Sequence, residues 1–267
     1  MSGWRFVKRH LLGVVAVLAL LYMLLPIAVV VLFSFNNPAG RFNYVWQSFT
    51  LDNWLNWNAA PGIQNALETS LLLAVLSSLA ATALGTLIAL ALVRYDFRAR
   101  GFLNFLIFLP MSAPEIVLGA SLLTLFLNQS VFQLGFWTIF IAHVMFNISF
   151  VVVTVRARLV DFDRHLEEAA ADLGANELVT FRKVTLPLLA PAILAGAMLA
   201  FAISVDDFVI TYFNSGSTIT FPVYVWGQAA RGVPPQVNVI GSAIFFVAVG
   251  IMLAQAVVQT RRERRPA

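Results

Sequence analysis

Residues 167–187 read EEAAADLGANELVTFRKVTLP, and they are the most hydrophilic stretch of a chain that is otherwise apolar. Apolar residues make up 60% of the 267 positions and charged residues 11%, against about 25% charged in an ordinary globular chain. A soluble protein of this size has no means of hiding so much apolar surface, so lipid is the solvent and the class is an all-α membrane protein. One charged hairpin kept among apolar spans then asks for a purpose.

Six apolar segments have spanning length: about 11–35, 68–93, 102–127, 134–156, 188–213 and 236–259. Each is roughly 20 residues or more, enough to cross the hydrocarbon core at 1.5 Å per residue. The first run is too long for a signal-peptide core, and we take it as a retained anchor. Fifteen of the 17 basic residues fall before span one, between spans two and three, between spans four and five, or after span six. Only Arg41 and Arg231 fall on the other side. The positive-inside rule therefore predicts six transmembrane helices with both termini cytoplasmic. Trp4, Trp46, Trp54, Trp57, Trp137 and Trp226 sit at span edges or in outer segments, as interfacial aromatics do. The outer segment 49–57, FTLDNWLNW, is expected to lie along the interface.

Residues 1–267 are expected to form a single transmembrane domain with a cytoplasmic hairpin at 161–187. Within the hairpin, Asp163 is placed to cap a short helix whose apolar face is Leu166, Ala169, Ala170 and Leu173. Gly174 suits a left-handed C-cap, Asn176 suits the N-cap of a second helix, and Pro187 marks the entry to span five. Small residues recur every four positions in two spans: Ser77, Ala81, Gly85 and Ala89, then Ala192, Gly196, Ala200 and Ser204. Internal bundle packing is the simplest reading of both stripes, a subunit-facing role the alternative.

Three acids fall inside the spans: Glu115, Asp206 and Asp207; Pro110 and Pro114 are expected to interrupt span three just before Glu115. An ionised acid in hydrocarbon costs several kcal/mol, so each needs a wet cavity, a cation or a hydrogen-bonding partner. Counted from the inner span ends, Glu115 lies ~20 Å up and Asp206 ~27 Å up at helical rise. Asp206 and Asp207 are about 100° apart around a helix, so at most one points straight at a pathway. Asn147 and His143 are candidate polar lining, with structural hydrogen bonding the simpler role for each. The chain has no cysteine, its three histidines are far apart, and no metal site or cofactor is expected. The basic residues flank spans instead of forming a stripe, so no nucleic-acid partner is expected. Neither Lys8 nor Lys183 follows a glycine, so the chain has no phosphate-binding Gly-Lys pair and is expected not to hydrolyse ATP.

Glu168-Ala169-Ala170, three residues, Gly174, nine residues, then Val184-Thr185-Leu186-Pro187 resembles the EAA loop of binding-protein-dependent ATP-binding-cassette (ABC) importer permeases. Valine stands where that family's pattern has isoleucine. The resemblance implies the type I (MetI-like) importer permease architecture in a bacterial plasma membrane, with a cytoplasmic ABC ATPase dimer as partner. It also implies an extracytoplasmic substrate-binding protein and a second permease subunit, expected as a homologue in a heterodimer. Leu166, Glu168, Ala169, Ala170, Gly174, Leu186 and Pro187 would then carry the ATPase coupling. PEIV at 114–117 and VDDFVITYF at 205–213 are similar to the spermidine/putrescine subgroup. On that resemblance Glu115, Asp206, Asp207 and Asn147 are the candidate substrate-pathway residues for a polyamine. The alternatives are a permease for another small solute and a cation-coupled secondary carrier. A carrier needs no ATPase and has no reason to keep the EAA pattern, and no inverted repeat is evident.

Overall fold

A computed structural model describes residues 3–40, 42–129 and 133–263. Of the residues counted for topology, Arg41, Arg264 and Arg265 lie outside the described residues. In chain order the helices are α1 (Gly3–Phe33), α2 (Asp52–Leu55), α3 (Ile63–Arg94), α4 (Arg100–Ser112), α5 (Glu115–Gln129), α6 (Phe136–Val160), α7 (His165–Asp172) and α8 (Glu177–Thr180). A π-helical turn at Phe181–Thr185 leads into α9 (Leu186–Asp206), followed by α10 (Val209–Asn214), α11 (Phe221–Ala229) and α12 (Pro235–Glu263). The chain forms two compact units, one from residues up to Gln64 together with those from Val225 on, the other Asn65–Tyr224.

In the first unit, α1 leaves Leu12, Tyr22 and Met23 70–79% exposed, an apolar surface that only lipid or another apolar helix can cover. The segment after it is stitched tightly. Asn36 Nδ2 donates to Asn43 Oδ1 at 2.7 Å and to the Val45 carbonyl at 2.9 Å, and its Oδ1 accepts from the Gln47 amide at 2.8 Å. Asn53 Nδ2 donates to the carbonyls of Ser34 and Asn36, and Phe35 stacks against both Phe49 and Trp54. The 49–57 stretch is thus pinned back onto the end of α1, with Leu55 left exposed.

The second unit is built on α6. Val151 and Val155 are fully buried, in one apolar cluster with Ala81 and Ala89 of α3 and Leu189 and Ala200 of α9. The two small-residue stripes are what admit α6 so closely. A Cβ on Gly85 would stand 2.8 Å from Val151 Cβ, and one on Gly196 would stand 3.5 Å from Val151 Cα. Between helices immersed in lipid, close van der Waals approach replaces the hydrophobic drive, so these stripes hold the bundle together. They serve internal packing.

Span three is broken as expected just before Glu115: α4 and α5 meet at 111° across Ala113–Pro114, while Pro110 stays inside α4. Pro114 has no amide hydrogen and pushes Ala113 into an extended backbone, ψ 141°, which ends α4. Residues beyond Glu115 therefore leave the axis of α4. Span five also breaks, at Asp207, whose backbone is extended with φ −62° and ψ 118°. At its other end this helix runs back without interruption to Glu177, so the second limb of the hairpin and span five are one rod. Among the described residues four single helices are long and apolar enough to cross a membrane, and the bent α4–α5 pair makes five.

Candidate functional site

The hairpin forms from local signals. The Asp163 carboxylate accepts from the His165 amide at 3.0 Å and faces His165 Nδ1 at 2.7 Å, opening α7. That hydrogen bond holds the Asp163 carboxyl below its ordinary range and raises His165. At the other end Gly174 has φ +82°, its amide donates to the Ala171 carbonyl, and the Ala175 amide donates to Ala170. This is a Schellman cap, and a β-branched residue at Gly174 would be strained whatever the space around it. Asn176 Oδ1 accepts from the Val179 amide at 2.9 Å and caps α8.

No residue of α7 is buried. Leu166, Leu173 and Leu178 are 46%, 90% and 63% exposed, and Glu168, Ala169 and Gly174 are exposed with them. Ala170 is half-buried. Leu186 and Pro187, expected within the same functional set, sit on the rod beyond the π turn and are exposed. One residue that the motif passes over holds the hairpin in place. Glu167, beside Glu168, accepts from the Arg94 guanidinium at the end of α3 and from the Thr185 hydroxyl. Arg164 adds a hydrogen bond to the Val93 carbonyl at 3.3 Å.

The acids separate by environment. Asp207 is enclosed: its Oδ2 accepts from the Thr211 amide at 2.8 Å and the Thr211 hydroxyl at 2.7 Å, and lies 3.2 Å from His143 Nε2. His143 Nδ1 is 2.6 Å from Ser204 Oγ, which is 2.9 Å from Ser77 Oγ. An ionised Asp207 only accepts, so Nε2 carries the histidine proton and Nδ1 accepts from Ser204. The chain of polar groups joins α3, α6, α9 and α10 in the plane where span five breaks. Asp207 also stands at the N-terminus of α10, where a negative charge is favoured.

Asp206 has none of this. It ends α9, is exposed, and forms no ion pair among the described residues. The C-terminal carbonyls of α9 present negative charge at the same place, which repels a carboxylate and attracts a cation. Glu115 is exposed too, but it lies in the first turn of α5, an end that tolerates an acid. One turn on, Gly119 abuts the Phe213 ring, so α5 and α10 pack together. Asn147 is 1% exposed, and neither amide atom has a hydrogen-bond partner. It lies one turn from His143 on α6, inside the bundle, and presents nothing at a surface.

Sequence reasoning named the acids without pairing Asp207 to His143, Ser204 and Thr211, and it missed Glu167, Arg94 and Thr185. Thr185 was visible as the open position of the VTLP motif; Arg94 is 73 residues from Glu167 and had no local signal.

The spermidine/putrescine transport system permease protein PotC of Escherichia coli K12 is 37% identical over 238 residues, 89% of each chain. The putrescine transport system permease protein PotI of the same organism is 35% identical over 258 residues, 94% of this chain and 88% of that one. The fold matches that of a solved bacterial ABC transporter involved in alginate import, with a TM-score of 0.68 at 18% identity over 97% of this chain and 98% of that one. Residues 81–264, which take in the α3–α6–α9 bundle, the hairpin and both helix breaks, match the model of one transport family. On this match and these relatives, the chain belongs to the binding-protein-dependent transport system inner membrane components.

Proposed function

We propose that this chain is one of two permease subunits lining the polyamine pathway of an ABC importer in a bacterial plasma membrane. The observation that carries the reading is Asp206: an exposed carboxylate at the negative end of a broken span, unpaired among the described residues. The chain around it resembles permeases named for spermidine and putrescine. A protonated amine there would meet both the carboxylate and the α9 carbonyls, in a place where lipid and protein keep screening low. Glu115 is the second pathway acid in this proposal, while Asp207 and Asn147 support the wall from behind.

The chain is a translocation subunit without catalysis of its own, and ATP is hydrolysed by a separate ATPase. An extracytoplasmic binding protein delivers the substrate. The exposed face of α7, with Leu166, Glu168, Ala169 and Leu173, docks on the ATPase dimer, and Ala170, Gly174, Leu186 and Pro187 shape the limb behind it. ATP-driven closure moves the hairpin and switches the pathway between outward and inward access. The companion subunit is a homologue, and residues 1–267 act as one transmembrane domain.

Restoring this gene to cells stripped of polyamine uptake systems, together with its companion subunits, should restore uptake of labelled spermidine or putrescine. Uptake of neither, with the complex assembled, would refute the substrate. A reporter fused after Ala267 should be cytoplasmic and a tag inserted after Gly232 external, since 15 of 17 basic residues share the first side. The reverse labelling would place the hairpin outside and remove the ATPase from it.

A further inference from the structure

We infer that Glu167 is a positioning residue for energy coupling, the latch through which movement of the hairpin reaches two spans at once. The inference rests on the hairpin being the ATPase-contacting element. A single carboxylate oxygen, Glu167 Oε1, receives the Arg94 guanidinium from the end of α3 and the Thr185 hydroxyl from the π turn that leads into α9. Three elements therefore converge on one atom: the hairpin helix, span two and the start of span five.

The site is built to hold this contact. The Arg94 and Glu167 side chains are only 28% and 20% exposed, and Thr185 is fully buried. Glu167 is one of two α7 residues turned toward the protein; Glu168, its neighbour, is exposed. A partly desolvated charge pair with a hydrogen-bonded hydroxyl resists separation more than a surface ion pair does. Besides Glu167 only Ala170 of α7 is turned inward, and the exposed Arg164 just ahead of the helix adds one hydrogen bond to the Val93 carbonyl, so the Glu167 contact is the main sideways tie to the bundle. Thr185 closes a π turn between α8 and α9, with the Leu186 amide reaching back to the Phe181 carbonyl. Pushing the hairpin therefore pulls on the π turn of the rod and on the end of α3 together. Without the latch, α7 can swing about its two short connections while the spans stay still.

The experiment uses the whole importer in proteoliposomes and reads polyamine imported per ATP hydrolysed. Glu167→Gln, Arg94→Gln and Thr185→Val should assemble with the ATPase and hydrolyse ATP, while import per ATP falls about tenfold for Glu167→Gln and Arg94→Gln, the scale of one lost charge-assisted contact. The double variant should be no worse than either single one, because both remove the same link. The exchanged pair Arg94→Glu with Glu167→Arg should recover most of the import ratio, since a threonine hydroxyl also accepts from a guanidinium. A ratio within twofold of the parent in both single charge variants would overturn the latch. So would a loss matched by the loss of assembled complex, because that is mere structural support. A Leu173→Asp variant keeps the two readings apart. If it still binds the ATPase normally, the docking role of the hairpin fails; if it detaches while the latch variants import normally, only the latch fails.

Discussion

Asp206→Asn should leave the importer fully assembled and reduce polyamine uptake at least tenfold. The side chain is exposed and bonded to no other element among the described residues, so its loss of charge leaves their hydrogen bonds in place. What goes is the one negative group that α9 offers at its end. A charge-assisted hydrogen bond contributes roughly 1.5–3 kcal/mol, and 1.4 kcal/mol is a factor of ten. Glu115→Gln should cost less, because the first turn of α5 supplies amide hydrogens that already favour an acid there. Labelled spermidine and putrescine uptake, normalised to complex purified from the same membranes, makes the comparison. Normal uptake by assembled Asp206→Asn would leave the polyamine pathway without its physical support.

Asp207→Ala should do the opposite and fail before transport is reached. It takes the shared acceptor from the Thr211 amide and the Thr211 hydroxyl and leaves His143 Nε2 with the Thr211 hydroxyl alone, at 2.9 Å, all in the bundle interior. Each buried donor left without its acceptor costs about 1–3 kcal/mol, and together they are a large share of the ~5–15 kcal/mol by which domains are stable. Yield of assembled complex and its thermal midpoint should both drop sharply. Asp207→Asn keeps one acceptor for Thr211 and should fall between the parent and alanine. An alanine variant that assembles and melts like the parent would show that the α9–α10 break holds without its cap.

The residues explain how far the sequence could be followed. The hairpin was legible because its signals are local: Asp163, Gly174 and Asn176 each act within four residues of their own position. The small-residue stripes were legible because their period is that of the helix, and Val151 fills the space that they leave. The break at Pro114 was legible from proline itself, but its angle of 111° was not, because no periodicity encodes it. That Asp206 and Asp207 differ was foreseeable from helix geometry; which of them is sheltered depended on His143, 64 residues away. The latch on Glu167 was beyond reach for the same reason. Long-range polar pairing leaves no trace in a single sequence.

The π turn at Phe181–Thr185 carries one meaning more. A turn of this kind holds one residue in excess of the α-helical count, and each α-helical residue turns the chain by about 100°. The rod from Glu177 to Asp206 is therefore out of phase with itself across that point. Loss of a single residue there would heal the helix and leave its backbone more regular. It would also rotate α7 and its leucines about a quarter-turn around the bundle, away from Arg94 and from whatever they face. The spacing between the glycine and the VTLP segment is thus an angular setting written as a residue count, and point substitutions can vary around it while insertions and deletions cannot.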